Sequence, residues 1–280
     1  DLEKDSHFLN HSAIVIGRGP SLKKQKHLEL LANSNYRGIV VVCDGILIEA
    51  LKSGVTPDKF PNFYVVTIDY APTFKKFYDD ELVDKFGKKI KGIFTTITDP
   101  EVVERARNAG IKIHWIHPLF DYNEGKKSFN YITSKIIRVK KQEMGLPAIQ
   151  TGGNVGTTAW FISWMILKCK TVALIGINHA WDESDGWEKI ITHNNDLPIK
   201  MEQTDPVFKK LFEKSHNPEF NCDFILDPMF RLYSMCLKEF IIRSPDWVNT
   251  INATEGGSIF GERVTCKNFK QFLTDEEQNC

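Results

Sequence analysis

Two glycine-rich segments carry the residue types and spacing best suited to chemistry. Gly17-Arg18-Gly19-Pro20-Ser21 follows the apolar run Ala13–Ile16 and precedes a helical pattern. Residues 151–158 read TGGNVGTT and also open a helix. A helix start presents N–H groups without intrahelical partners, and these favour an anion, typically a phosphate. In the first segment Gly17 and Gly19 permit close ligand approach, and Arg18 adds positive charge. Pro20 suits the first helical position, where a missing N–H costs little. In the second, Gly152, Gly153, Asn154 and Thr157 offer amides and small polar groups to a phosphate or a sugar hydroxyl. Close helix packing over small residues explains the same composition equally well.

Further polar residues recur just after apolar runs. Asp44-Gly45 ends GIVVVC, Asp69 ends FYVVTI, and Asn178-His179 ends TVALIGI. In an open α/β sheet, ligands bind beyond the carboxyl ends of the strands, so this common placement defines a face. A dinucleotide fingerprint is incomplete, because Leu22 stands where the third glycine belongs. Asp44 could still hold ribose hydroxyls. No GKS or GKT follows the glycines, which excludes a Walker phosphate loop. Ser21 has no GxSxG context, and His114, His117 and His179 lack zinc-site spacing.

The elements that must position these groups follow from periodicity. Strands are expected at 13–16, 38–43, 63–68, 92–95, 111–116, 171–177 and 247–251. Helices are expected at 22–32, 46–52, 73–86, 99–109, 152–168, 206–214 and 227–242. Such alternation implies an α/β fold with a doubly wound, mostly parallel, Rossmann-like sheet. A polar lead-in at 1–11, a single domain over 12–280 and a lid-like insertion at 178–206 complete the expected organisation. A chain of this length buries ~75% of its unfolded surface and needs no staple. The 36 basic and 36 acidic residues cancel, which argues against nucleic acid or a polybasic membrane surface. The six cysteines form no CxxC pair, and no apolar run is long enough for a membrane span. The expectation is a reduced, cytoplasmic protein; the first residue is Asp, so targeting is left open, as is a homo-oligomer.

GRGPSL, DGILIEALKSGVTPDKF, YVVTID, TGGNVGTTAW, VALIGINHAW and NATEGG, in that order, resemble the MptE-like family, which includes the Maf motility accessory factors. The first turn also resembles the GxGPSL turn of bacterial sialyltransferases, which have a related Rossmann-like core. The resemblance implies a nucleotide-dependent transferase with one of two activities. The leading expectation is glycosyl transfer from a CMP-activated, sialic-type sugar, with no cofactor. Gly17, Arg18, Gly19, Pro20 and Ser21 would then bind phosphate, and Asp44 and Asn154 would contact ribose or sugar hydroxyls. Gly45, Asp69, Gly152, Gly153, Thr157 and Asn178 would complete the nucleotide face. His193 would be the base, with His179 the second candidate. The alternative is a 6-hydroxymethyl-dihydropterin diphosphokinase using ATP and Mg2+, the metal held by Asp44 and Asp69. A non-catalytic, partner-binding member is the third class, and a large exposed apolar patch at 181–187 would be its sign. The acceptor is left unassigned among glycan, protein and pterin.

Overall fold

The computed structural model describes residues 11–119, 125–128, 131–132, 148–186, 190 and 204–278. Its centre is β1 (Ser12–Ile16), in which every residue is buried. β2 (Ile39–Cys43) and β3 (Phe63–Thr67) are likewise wholly buried, as strands covered on both faces must be. β4 (Lys91–Thr95), β5 (Lys112–Pro118) and β6 (Ala148–Ile149) continue outward on the same side. β7 (Thr171–Ile175) then returns to the other side of β1, followed outward by β11 (Asn249–Asn252) and β12 (Val264–Cys266). All nine strands pair in parallel, with Ile14 flanked by Val40 and Ala173. The doubly wound expectation therefore holds.

This order has one reversal, between β1 and β7. Connections leaving a sheet in opposite directions at such a point open a crevice at the strands' carboxyl ends. Gly17 follows β1, Gly176 follows β7 and Asp44 follows β2, so the segments singled out in the sequence meet there.

The helices depart from periodicity in several places. The expected helix at 22–32 is two, α1 (Ser21–Lys24) and α2 (His27–Asn33), broken at Lys26 with φ of 52°. Pro20 stands one residue before α1, at the capping position rather than within the helix. α3 (Leu47–Lys52) agrees with expectation. The pattern at 73–86 resolves into a 3₁₀ segment, Pro72–Phe77, and α4 (Glu81–Phe86), which the Asp80 side chain caps. α5 (Pro100–Asn108) begins at the Asp99 cap as anticipated. α6 (Val155–Phe161) continues through a π-turn at Ile162–Ile166 and packs against β1, β2 and β3.

The carboxyl-terminal third differs most. The helix expected at 206–214 is one turn, α7 (Phe208–Leu211), and the chain then extends into β9 (Glu213–Asn217). β9 pairs antiparallel with β10 (Cys222–Leu226), which also pairs with β8 (Trp181–Asp182). At the start of the expected insertion Asn178, His179, Ala180 and Trp181 are all nearly inaccessible, and only Trp181 of these belongs to a strand. Most of the rest of that insertion lies outside the described residues, as does the lead-in at 1–10. α8 (Pro228–Ile242) follows its Asp227 cap, and α9 (Phe269–Gln278) packs on α2. Glu255 joins these last two elements, accepting hydrogen bonds from buried His27 at 3.2 Å and from the Phe269 N–H at 3.1 Å.

Candidate functional site

A cleft of about 440 Å³ opens at the carboxyl ends of β1, β2, β3 and β7. Gly17 through Pro20 form one wall. Asp44, Gly45 and Asp69 lie beside them, and Asn154, Val155 and Gly156 enter from the second glycine turn. His179 and Trp181 come from the segment after β7. Ser21, Gly152, Gly153, Thr157 and Asn178 do not line the cleft, although Gly152 and Thr157 hold Asn154, which does. Ser21 donates to the Asn178 side chain at 2.9 Å, and Thr157 accepts from Asn154 Nδ2 at 3.0 Å. His193 lies outside the described residues.

The two glycine turns do different work. The Gly17 N–H donates to Ile175 O at 2.9 Å, and the Gly19 N–H to Gly176 O at 2.8 Å. A β-carbon at position 17 would stand 2.5 Å from Gly176 O, and one at 19 would stand 2.0 Å from Asn178 Oδ1. These glycines therefore let the first turn close against the turn after β7, and two of its amides are already spent. At the second turn, Gly152 and Gly153 adopt φ of 57° and 78°, which other residues rarely take. Asn154 then caps α6, its Oδ1 accepting from the Thr157 N–H at 2.8 Å. Val155 and Gly156, the first residues of α6, line the cleft and have no intrahelical acceptor for their amides. The free anion-favouring amides thus belong to the second turn.

Charge is concentrated beside it. Asp44 is 4% exposed; Oδ1 accepts from the Gly45 N–H at 2.7 Å, while buried Oδ2 has no partner. Burial, then the neighbouring Asp69 charge, pushes the Asp44 carboxyl up to about 7, opposed first by the Thr67 hydroxyl, then by the Gly45 N–H and Arg18. Burial also raises Asp69. Arg18 is exposed at the rim, its guanidinium 5.6 Å from the Phe77 ring centroid. His179 is 7% exposed, with φ of 41° and no partner for Nδ1, and burial lowers it to about 3. It is therefore neutral at neutral pH and a weak proton acceptor.

Buried neutral histidines set an acid limit. His27 is lowered as well, by burial. Both bind a proton more readily unfolded, so their contribution is complete above about pH 6.5 and falls as pH drops below it. Denaturant titrations of an Asp44→Asn variant, which lacks the opposing carboxyl, should show a loss of roughly 2 kcal/mol from His179 alone between pH 6.5 and 5. A flat profile over that window would contradict the buried, neutral state.

Several lining residues were not evident in the sequence. Phe74 and Phe77 stand on one side, and Phe230 and Tyr233, from the first turns of α8, on the other. Their only sequence signal was an aromatic pair just after the Asp227-Pro228 helix start. Trp181 joins them; its Nε1 donates to Asp227 Oδ2 at 2.8 Å. Its burial also removes it from any exposed apolar patch. The segment after β11 packs against the turn after β7: Gly257 O accepts from Asn217 Nδ2 at 2.8 Å, and Ser258 N donates to Asn178 O at 2.9 Å. Among the described residues, no cluster of three or more metal-ligating side chains occurs, and no helix is long and apolar enough to cross a membrane.

Residues 1–184 match the model of a family described as "6-hydroxymethylpterin diphosphokinase MptE-like". The chain belongs to the MptE-like family. No curated protein sequence matches this MptE-like chain. Among solved structures, a "MAf glycosyltransferase from Magnetospirillum magneticum AMB-1" aligns with a TM-score of 0.61 at 15% identity. The alignment covers 98% of this chain and 38% of that one, so the MptE-like chain spans well under half of its neighbour's length. At this identity the likeness is one of fold. A truncated 3-deoxy-D-arabino-heptulosonate 7-phosphate synthase from Thermotoga maritima aligns with a TM-score of only 0.25 at 13% identity, over 63% of this chain and 79% of that one. That likeness is too slight to bear on the fold. The family and the first structural neighbour are both described as transferases.

Proposed function

We propose that this MptE-like chain is a nucleotide-dependent transferase acting in the cleft at the β1/β7 reversal, with a CMP-activated, sialic-type sugar as donor. One observation carries the reading: both glycine turns, Asp44 and Asp69 line a single cleft. The start of α6 and Arg18 would take the phosphate, favouring the leaving group as its charge develops. Asp44, held near neutrality by burial, is suited to accept the acceptor hydroxyl's proton, a role first given to His193 and His179. The neighbour's description as a glycosyltransferase supports this reading.

A second reading, ATP- and Mg2+-dependent diphosphate transfer, is favoured by the carboxylate pair. Two neighbouring carboxylates, one with an unpartnered oxygen, fit the protein share of a magnesium site, which is commonly one or two carboxylates plus substrate phosphates. Asp44 and Asp69 would hold the ion, and it would neutralise phosphate charge.

Thermal unfolding with CMP, and separately with ATP and Mg2+, tests the assignment. CMP at 100 times its dissociation constant stabilises by about 2.7 kcal/mol, which for a domain of this size is an upward Tm shift of roughly 5–10 °C. That shift in the presence of a chelator supports the CMP reading. A shift only with ATP and Mg2+ supports the second, and no shift with either overturns both.

A further inference from the structure

The cleft is chemically divided. Arg18, Asp44, Asp69 and the start of α6 bring charge and hydrogen-bonding groups to one part of the lining, with the Phe77 ring against the Arg18 guanidinium. The other end is a connected set of rings. Trp181 meets Phe230 edge-on at 5.2 Å between centroids, and Phe230 meets Tyr233 edge-on at 6.4 Å. His179 lies 6.0 Å from Tyr233. The hydrogen bond from Trp181 Nε1 to Asp227 fixes that ring, so the wall is preformed. Tyr233 also touches the second glycine turn, since a β-carbon on Gly153 would stand 3.0 Å from its ring. The aromatic end and the phosphate-favouring end are therefore in contact.

His179 adds an independent sign of a ligand. Its imidazole is more than nine-tenths buried, yet Nδ1 has no partner. Its backbone is held at φ 41°, where a non-glycine residue costs free energy, and the Ser258 hydroxyl fixes its carbonyl at 2.8 Å. An unpaired buried nitrogen also costs free energy until a ligand atom or a water reaches it.

We infer that the planar nitrogen heterocycle of the nucleotide occupies this aromatic end, against Tyr233, Trp181 and His179, with its phosphates directed toward Arg18 and the start of α6. The placement rests on the nucleotide reading above and adds an orientation to it. Aromatic faces accept any flat heterocycle, so the wall supplies affinity, while a neutral imidazole offers an edge contact without charge.

Calorimetric titration of the whole chain with CMP and with ribose 5-phosphate, which lacks the base, tests this. If CMP is not bound, ATP with Mg2+ and inorganic tripolyphosphate take their places. The wild-type chain should bind the base-bearing probe about tenfold or more tightly than its base-free counterpart. Tyr233→Leu, which keeps apolar bulk but removes the aromatic face, should abolish most of that preference while leaving the base-free probe unchanged. Tyr233→Phe should retain it. Equal wild-type affinity for the two probes overturns the placement, and so does a Tyr233→Leu variant that retains the full preference or weakens both probes alike. In those cases the nucleotide reading stands. Failure to bind either nucleotide overturns the reading and the placement together. The wild-type comparison depends on no variant folding.

Discussion

Replacing Gly17 with alanine is expected to lower stability by about 3 kcal/mol or more, the upper range for forcing atoms into a packed interior. The added carbon would lie 2.5 Å from the Gly176 carbonyl oxygen and 2.3 Å from Ile177 Cδ1. The isoleucine can rotate, but the carbonyl belongs to a turn whose own glycine has φ of 63°. That carbonyl also accepts the Gly19 N–H, so displacing it breaks the seam joining the two turns. For a domain of this size the loss corresponds to a fall in Tm of roughly 6–12 °C. Gly45→Ala is the control. It lies in the same cleft, but its added carbon would meet nothing closer than 3.5 Å, so stability should change little. Thermal unfolding of the two variants without ligand separates a packing role from a ligand role. If Gly17→Ala matched wild type in stability and lost only nucleotide binding, the glycine would be serving the ligand directly.

Asp44→Asn is expected to change stability and function in opposite directions. The native carboxyl titrates near 7, well above its ordinary value near 3.8, because burial and Asp69 disfavour its charge. The native state therefore binds a proton that the unfolded state has released between about pH 4 and 7. Its contribution is complete below the unfolded value and is lost as pH rises through 7. At pH 8 the wild-type chain carries a penalty of about 4 kcal/mol from this group. Asparagine removes the charge but keeps the shape, so the variant should be more stable than wild type at pH 8 by about 2 kcal/mol or more. The difference should shrink towards pH 5, where both side chains are neutral. Transfer should fall 100-fold or more, whether Asp44 accepts a proton or helps hold a cation. Denaturant titrations at pH 5 and 8 read the first effect, and turnover measurements read the second. A variant less stable than wild type by the same amount at both pH values would show that Asp44 is not a strained buried acid.

How much of this was legible depended on the range of the interactions involved. Runs such as GIVVVC and TVALIGI form buried parallel strands because both faces of each strand must be apolar, and composition alone records that requirement. Polar residues after such runs fall at carboxyl ends as a consequence of chain direction. Asp44, Asp69 and His179 were therefore placed on one face. β9, by contrast, reads EKSHN and has mostly exposed side chains; its extended form comes from pairing with β10, a contact that leaves no mark on its own periodicity. Phe230 and Tyr233 read only as part of the expected helix at 227–242. Their place in the cleft depends on where that helix docks.

By itself, then, the sequence determined the parallel α/β class, the family likeness and the face on which the candidate site lies, since all three follow from local pattern. Only the tertiary structure decided what each residue does on that face. Gly17 and Gly19 changed from a phosphate cradle into a packing seam once the turn after β7 closed on them. Val155 and Gly156 kept the free amides, and Asp44 became a carboxyl that is half protonated near neutral pH. Steric closeness, spent hydrogen bonds and desolvation are properties of atoms brought together from distant parts of the chain, and no stretch of sequence contains them.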